Sequence, residues 1–353
     1  SKETVRNITI LRRHLKLDFT PPLWAKAENI RELIPAILIG RWNDKVEGDR
    51  NIVARIAGES YNRYSEKLQR WVNSDDTPLV SVDGIWRIIS PYESFCYASN
   101  YFTANDFSNY HSVVFEIAAD NDPDANEKLN ATTIQFWENK QCYSGWLKEG
   151  IFQSAILISI IGKSTGLCTP QQPADMWVDS IIRDILNNST IEWWFSNGRI
   201  LSQIAEASPR CYIKYLIDDL KKEDSIIKRL FIPKANISFM GPGENYTNVL
   251  WSLRMLLWEE EFFLPVSLVL MELSAIENNT NSADKPLETL CAAYTIWHPQ
   301  TYVNTNQRLQ TLRTLCHKYP TQGFSLCKRL VDRLDHSVIF PTKPMHWRRF
   351  EQE

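Results

Sequence analysis

The sequence predicts a mainly α protein of irregular stacked helical hairpins, an α-solenoid or HEAT/TPR-like bundle, with one small β-hairpin near residues 79–89. Glycine is scarce at 12 and tryptophan abundant at 13, a balance that disfavours turn-dense β architectures and supplies flat side chains to wedge between helices. Segment after segment repeats apolar residues at steps of three and four and then stops at Pro, Gly or Asn. The oiliest stretch, Val249 to Leu273, is interrupted by Arg254 and by Glu259, Glu260 and Glu261.

Val53 to Trp71 is the clearest amphipathic pattern: Ala57, Tyr61, Tyr64, Leu68 and Trp71 alternate steps of four and three, with Arg55, Glu59, Arg63, Lys67 and Arg70 mostly opposite. In Thr77 to Ser90, the pair Asp83-Gly84 between two apolar runs signals a tight hairpin turn. Ser90, Pro91 and Glu93 then read as cap, first helical residue and capping-box partner. Asn121 to Asn130 is polar and rich in breakers, a surface loop dividing residues 1–120 from a helical-repeat-like segment 131–353.

A buried helix is expected from about Trp146 to Ile161 with Gly162 as its cap, and another from Asp175, as cap, to Asn188 with Trp177, Ile181 and Ile185 inward. Further short helices cover Gly198–Pro209, Pro209–Lys222, Leu287–Trp297, Asn306–Pro320 and Gly323–Leu334. Helices of three or four turns are marginal alone and must stack on neighbours. Across Val249–Leu273 a spanning helix would need roughly 20 nearly uninterrupted apolar residues. Four charges exclude that, so two soluble helices are expected, about Tyr246–Trp258 and then one opening at the glutamates with Pro265 early, joined as an antiparallel hairpin. Ser274–Pro286 is another loop.

Thirty-nine basic against 42 acidic residues leave a net charge of -3, so there is no global positive field for nucleic acid. The local basic clusters contain Arg12, Arg13, Arg348 and Arg349, and a nucleic-acid-binding module built on them is one alternative. Seven scattered cysteines without a CxxC pair fit free thiols in a reducing cytosol. The six histidines have no i, i+4 partner, so neither metal nor cofactor is expected; His298 reads as a packing or capping residue. The chain starts at Ser1 without a signal-peptide pattern and reads as a piece of a longer protein.

The one nucleotide-like motif is Gly162-Lys163-Ser164-Thr165 after an apolar run, but Leu157 stands where a phosphate loop needs glycine. An enzyme alternative, a degenerate P-loop NTPase, would use Lys163 and Ser164 with Asp218 and Asp219 of "YLIDDL". Ile213, Leu216, Ile217 and Leu220 give that stretch a helical pattern instead.

Taken together, "ITILRRHL", "PPLWA", "LIPAILIGRWN", "WRIISPYESF", "YSGWLKEGIFQSAILI", "YTNVLWSLRMLLW" and "IWHPQTYVNTNQR" resemble the helical region that follows the nucleotide-binding module in large bacterial signal-transduction-type multidomain NTPases associated with antiphage defence. In that family the ATPase drives oligomerisation and the helical region senses a ligand or clamps the inactive state. The resemblance implies a regulatory or recognition arm and transfers no functional residue, because an intact phosphate loop is missing. The chain is therefore expected to be a non-catalytic scaffold that binds a protein partner or another domain of its parent, with exposed Trp or Tyr side chains as anchors.

Overall fold

Seventeen α-helices and three short strands occur among the residues that the computed structural model describes: 21–74, 76–130, 140–167, 169, 172–232, 246–276, 285–295 and 300–332. The mainly helical class is as expected. The chain divides into two units, Ser1–Asp120 with Gln141–Ile181, and Asn121–Lys140 with Ile182–Glu353. The segment expected to run from 131 to 353 thus gives up 141–181 to the first unit.

The first unit holds α1 (Ile34–Ile39), β1 (Arg41–Asn43), α2 (Glu47–Ala57), α3 (Tyr61–Val72), β2 (Leu79–Val82), β3 (Ile85–Ile88), α4 (Pro91–Ala98) and α5 (Ala104–Ala119). After α6 (Ala125–Asn130), which belongs to the second unit, come α7 (Gly145–Thr165) and α8 (Ala174–Asn187), in which the division falls.

Helix α7 explains why 141–181 joins the N-terminal residues. Leu147, Ile151, Phe152, Ala155, Ile156, Leu157, Ile158 and Ile161 are buried all around it, and a helix apolar on every side must sit inside. It packs against α1, β1, α4 and α5. Each large side chain so covered stabilises by about 1.5–3 kcal/mol. The backbone comes close at Gly150, where a Cβ would lie 2.4 Å from the Ile39 carbonyl oxygen and 2.7 Å from the Arg41 nitrogen. Tyr110 adds a buried hydrogen bond, its hydroxyl donating to the Ile151 carbonyl at 2.7 Å.

The sequence-predicted hairpin forms β2 and β3, turning at Asp83 (φ 51°) and Gly84 (φ 83°). A third strand, β1, was not legible: it pairs antiparallel with β3, placing Trp42 opposite Trp86 with rings stacked at 5.6 Å.

Four local expectations are corrected. The pattern from Val53 to Trp71 is two helices, because Gly58 turns left-handed (φ 70°) and ends α2 before Ser60 opens α3. Helix α7 runs past Gly162 and is capped by left-handed Gly166. Ser90 makes no capping hydrogen bond, although Pro91 does occupy the first turn of α4; a capping box stands instead at α5, where Thr103 nitrogen and Oγ1 both donate to Asp106 at 2.7 Å. Asp175 lies inside the first turn of α8, one residue past its start, and is no cap.

The start of α7 is fastened by buried polar groups. Asp49 is fully buried and accepts from Asn43 nitrogen (2.8 Å), Ser144 nitrogen (2.9 Å) and Ser144 Oγ (2.5 Å). Ser144 Oγ in turn accepts from Leu147 nitrogen at 3.1 Å, capping α7. Burial lifts the Asp49 carboxyl above its ordinary range despite these donors. Lys148 Nζ, also buried, donates to the Asp120 carbonyl at 2.6 Å and lies 3.1 Å from its carboxylate; burial pulls this lysine down.

Nearer the surface, Arg55 and Tyr143 both donate to Glu116. The hydrogen bond from Arg55, then that from Tyr143, holds the Glu116 carboxyl below its ordinary 4.5. A carboxyl depressed in the folded state contributes stability that is present above the unfolded value and lost as pH falls through the folded one. Glu116→Gln is therefore expected to lower stability modestly at neutral pH and to flatten its fall below pH 4.5, so that variant and parent converge in acid, read by urea midpoints across a pH series.

The second unit continues with α9 (Ile191–Ser196), α10 (Leu201–Ala207), α11 (Pro209–Leu220), α12 (Ile226–Phe231), α13 (Thr247–Leu256), α14 (Glu260–Ser274), α15 (Pro286–Tyr294), α16 (Thr305–Lys318) and α17 (Pro320–Asp332). The polar stretch at 121–130 is more ordered than its composition suggests: it contains α6, and Asp122 pairs with Lys128 under cover. The oily stretch Val249–Leu273 resolves into α13 and α14, as its charges require. Glu259 is the N-cap, Glu260 and Glu261 fill the first turn, and Pro265 is tolerated near it inside the helix. Helix α13 packs chiefly on α10, and α14 on α11 and α15, burying Val249, Leu250, Leu253, Phe263, Val266 and Leu270. Arg254 is buried with them and donates to Thr289 Oγ1 at 3.3 Å.

Candidate functional site

Helix α11 starts at Pro209, whose fixed φ suits a first helical position, and buries Tyr212, Ile213, Leu216 and Leu220. Its other face carries Cys211, Lys214, Tyr215 and Asp218, at the three- and four-residue spacing that puts side chains in one row. This row, with Arg183, Leu186 and Asn187 of α8, Ser189, Lys222 and Ile226, lines a cleft of about 390 Å³ in the second unit.

The cleft wall is set by a chain of hydrogen bonds. Ser189 Oγ donates to the Leu186 carbonyl at 2.7 Å and accepts from Trp194 Nε1 at 2.9 Å. Its one hydrogen is then committed, so the 3.1 Å contact with Tyr215 has the phenol as donor. The Tyr215 ring is held by stacking on Trp194, centroids 5.6 Å apart, while Lys222 Nζ lies 5.9 Å from its centre.

Charge in the cleft is unbalanced. Asp219 is buried and its carboxylate accepts from Ser225 Oγ (2.7 Å) and Ile227 nitrogen (2.9 Å), supporting the start of α12, with Lys222 at 3.5 Å. Asp218 pairs with Lys221 at 3.1 Å. Exposed Arg183 and Lys214 have no carboxylate partner among the described residues, and the guanidinium reaches only Cys211 Sγ, at 3.9 Å. Two unneutralised cations beside an anchored aromatic ring can receive an anionic group, a carboxylate above all.

The residues singled out in the sequence fall as follows. Asp218 and Asp219 adjoin the cleft, each already engaged as described. Gly162–Thr165 form the last turn of α7, where backbone amides serve the helix rather than converging in an open loop, and the side chains of Lys163 and Ser164 lie outside the described residues. Arg12, Arg13, Arg348, Arg349 and His298 also lie outside them. Arg183, Lys214 and Tyr215 were missed, because α11 was read for its apolar face and its acid pair; the polar row three and four residues apart was the available signal. Among the described residues the exposed Trp and Tyr side chains are Tyr101 and Trp146 in the first unit and Trp251 and Tyr302 in the second.

Among the described residues no group of three or more His, Cys, Asp or Glu is gathered as for a metal, and no helix is long and apolar enough to cross a membrane. Fold and cleft thus define a mainly helical protein with a small antiparallel sheet and a cationic, aromatic-walled recess. No family model, no curated protein and no solved structure matches the chain.

Proposed function

We propose that this chain is a non-catalytic recognition scaffold whose second unit takes an acidic segment of a protein partner, or of another domain of its parent, into the cleft beside Tyr215. The observation that carries this reading is the pair Arg183 and Lys214, left without carboxylates next to a ring fixed by Trp194 and Ser189. A carboxylate from outside would complete the charge balance that the cleft's own acids, tied to Ser225, Ile227 and Lys221, leave open. The family resemblance of the sequence extends the proposal: the scaffold would be the sensor arm of a cytoplasmic bacterial immune NTPase, and the acidic segment part of its partner or its own ATPase.

The test is calorimetry with a panel of Glu- and Asp-rich peptides on the whole chain. Binding is expected to weaken about tenfold, or ~1.4 kcal/mol, for each of Arg183→Glu and Lys214→Glu, and to weaken with added salt. Magnesium ATP titrated in parallel is expected to give no heat. Silence from every acidic peptide, with ATP binding abolished by Lys163→Ala, would replace this reading by a nucleotide-dependent one.

A further inference from the structure

Helices α16 and α17 are joined at Tyr319 and pack face to face. They come close at Gly323, where a Cβ would stand 2.7 Å from Cys316 Cα and 3.1 Å from its sulfur. Any other residue there would push the helices apart. One turn further along the same face of α17 is Cys327, and the two sulfurs lie 3.7 Å apart. Both are partly exposed free thiols.

We infer that Cys316 and Cys327 form a dithiol modification site that low-molecular-weight disulfides such as oxidised glutathione convert reversibly to an internal disulfide, stapling α16 to α17. A sulfur–sulfur bond is about 2.0 Å long, so the sulfurs must close by roughly 1.7 Å. Rotation about a cysteine χ1 carries its sulfur over a distance of that order. A bond across these two positions shuts a short loop within one hairpin, the arrangement in which the second step, being intramolecular, outruns release of the first adduct.

The exchange balances in two displacements. The Cys327 thiolate attacks one sulfur of the glutathione disulfide, forming a mixed disulfide and expelling one glutathione thiolate. Cys316 then loses its proton to solvent and its sulfur attacks the Cys327 sulfur, forming the internal bond and expelling the second glutathione thiolate. Two electrons pass from the protein pair to the glutathione pair. Burial, followed by the hydrogen bond with Cys327, pushes the Cys316 thiol up to about 11, which keeps its proton on and makes it the resolving rather than the attacking sulfur.

The test is peptide mapping by mass spectrometry of the whole chain held in glutathione buffers of increasing oxidation. Exposed Cys142 serves as the internal reference for reagent access. A crosslinked peptide pair carrying Cys316 and Cys327, two hydrogens lighter and reversed by dithiothreitol, is expected at a milder poise than that which modifies Cys142. Cys316→Ser should instead accumulate glutathione on Cys327, whereas Cys327→Ser should leave Cys316 largely unmodified. Phenylarsine oxide, a trivalent arsenical that bridges paired thiols, should protect both cysteines from alkylation in the parent chain and neither in the variants. Glutathione on Cys142 while both thiols stay free or singly modified, or either cysteine bonded to a different one, overturns the proposal.

Discussion

Asp49→Ala is expected to lower the unfolding free energy by about 3–5 kcal/mol, measured by urea denaturation with tryptophan emission as the signal. The carboxylate it removes is the common acceptor for Asn43 nitrogen, at the end of β1, and for the nitrogen and hydroxyl of Ser144, which caps α7. Deleting an acceptor of three donors leaves each of them short of a partner in a part-buried place, and an unsatisfied fully buried donor costs on the order of 1–3 kcal/mol. Water entering the gap recovers part of that. Asp49→Asn should fall between the parent and Asp49→Ala, because an amide oxygen serves some of these donors while its NH2 group must face another. A loss below ~1 kcal/mol for Asp49→Ala would mean that the strand end and the helix cap are held by something else.

Gly150→Ala is expected to destabilise by about 2–3 kcal/mol. The sign is the informative part, since the same replacement in the middle of an unhindered helix is favourable by ~1 kcal/mol through reduced backbone freedom. Here the new methyl would stand 2.4 Å from the Ile39 carbonyl oxygen and 2.7 Å from the Arg41 nitrogen. Both are main-chain atoms, which cannot swing aside as a flexible side chain would. The helix or the α1–β1 joint must shift, disturbing contacts made by Ile37, Leu38 and Ile39, all buried. A variant more stable than the parent in thermal melts would show that α7 is free to slide from this crossing.

Much of the fold was legible where a local rule decides it. Asp83-Gly84 marked the hairpin because two consecutive left-handed residues suit few other pairs, and Tyr64, Leu68 and Trp71 face inward as their spacing indicated. Illegible features depend on distant partners. Strand β1 is only three residues long and exists because β3 offers it an edge. The break at Gly58 was hidden because Ala57 and Tyr61 keep a four-residue step across it, so the periodicity continues while the helix does not. Gly162, read as a cap, instead has Ala174 where its Cβ would be, 2.2 Å away, a close approach with no local signal. The cleft suffered most, since Arg183 and Lys214 are ordinary surface cations until α8 and α11 bring them to one cleft.

The central place of α7 also bears on synthesis. Its Ser154 donates to the carbonyl of Ile37, a residue made 117 positions earlier. At translation speeds of ~5–20 residues per second, the apolar faces of α1 and its neighbours therefore wait on the order of ten seconds for the helix that covers them. During that interval the nascent chain presents oil to the surrounding solution, and whatever shields it then is as much a condition of the first unit's existence as the packing that finally encloses it.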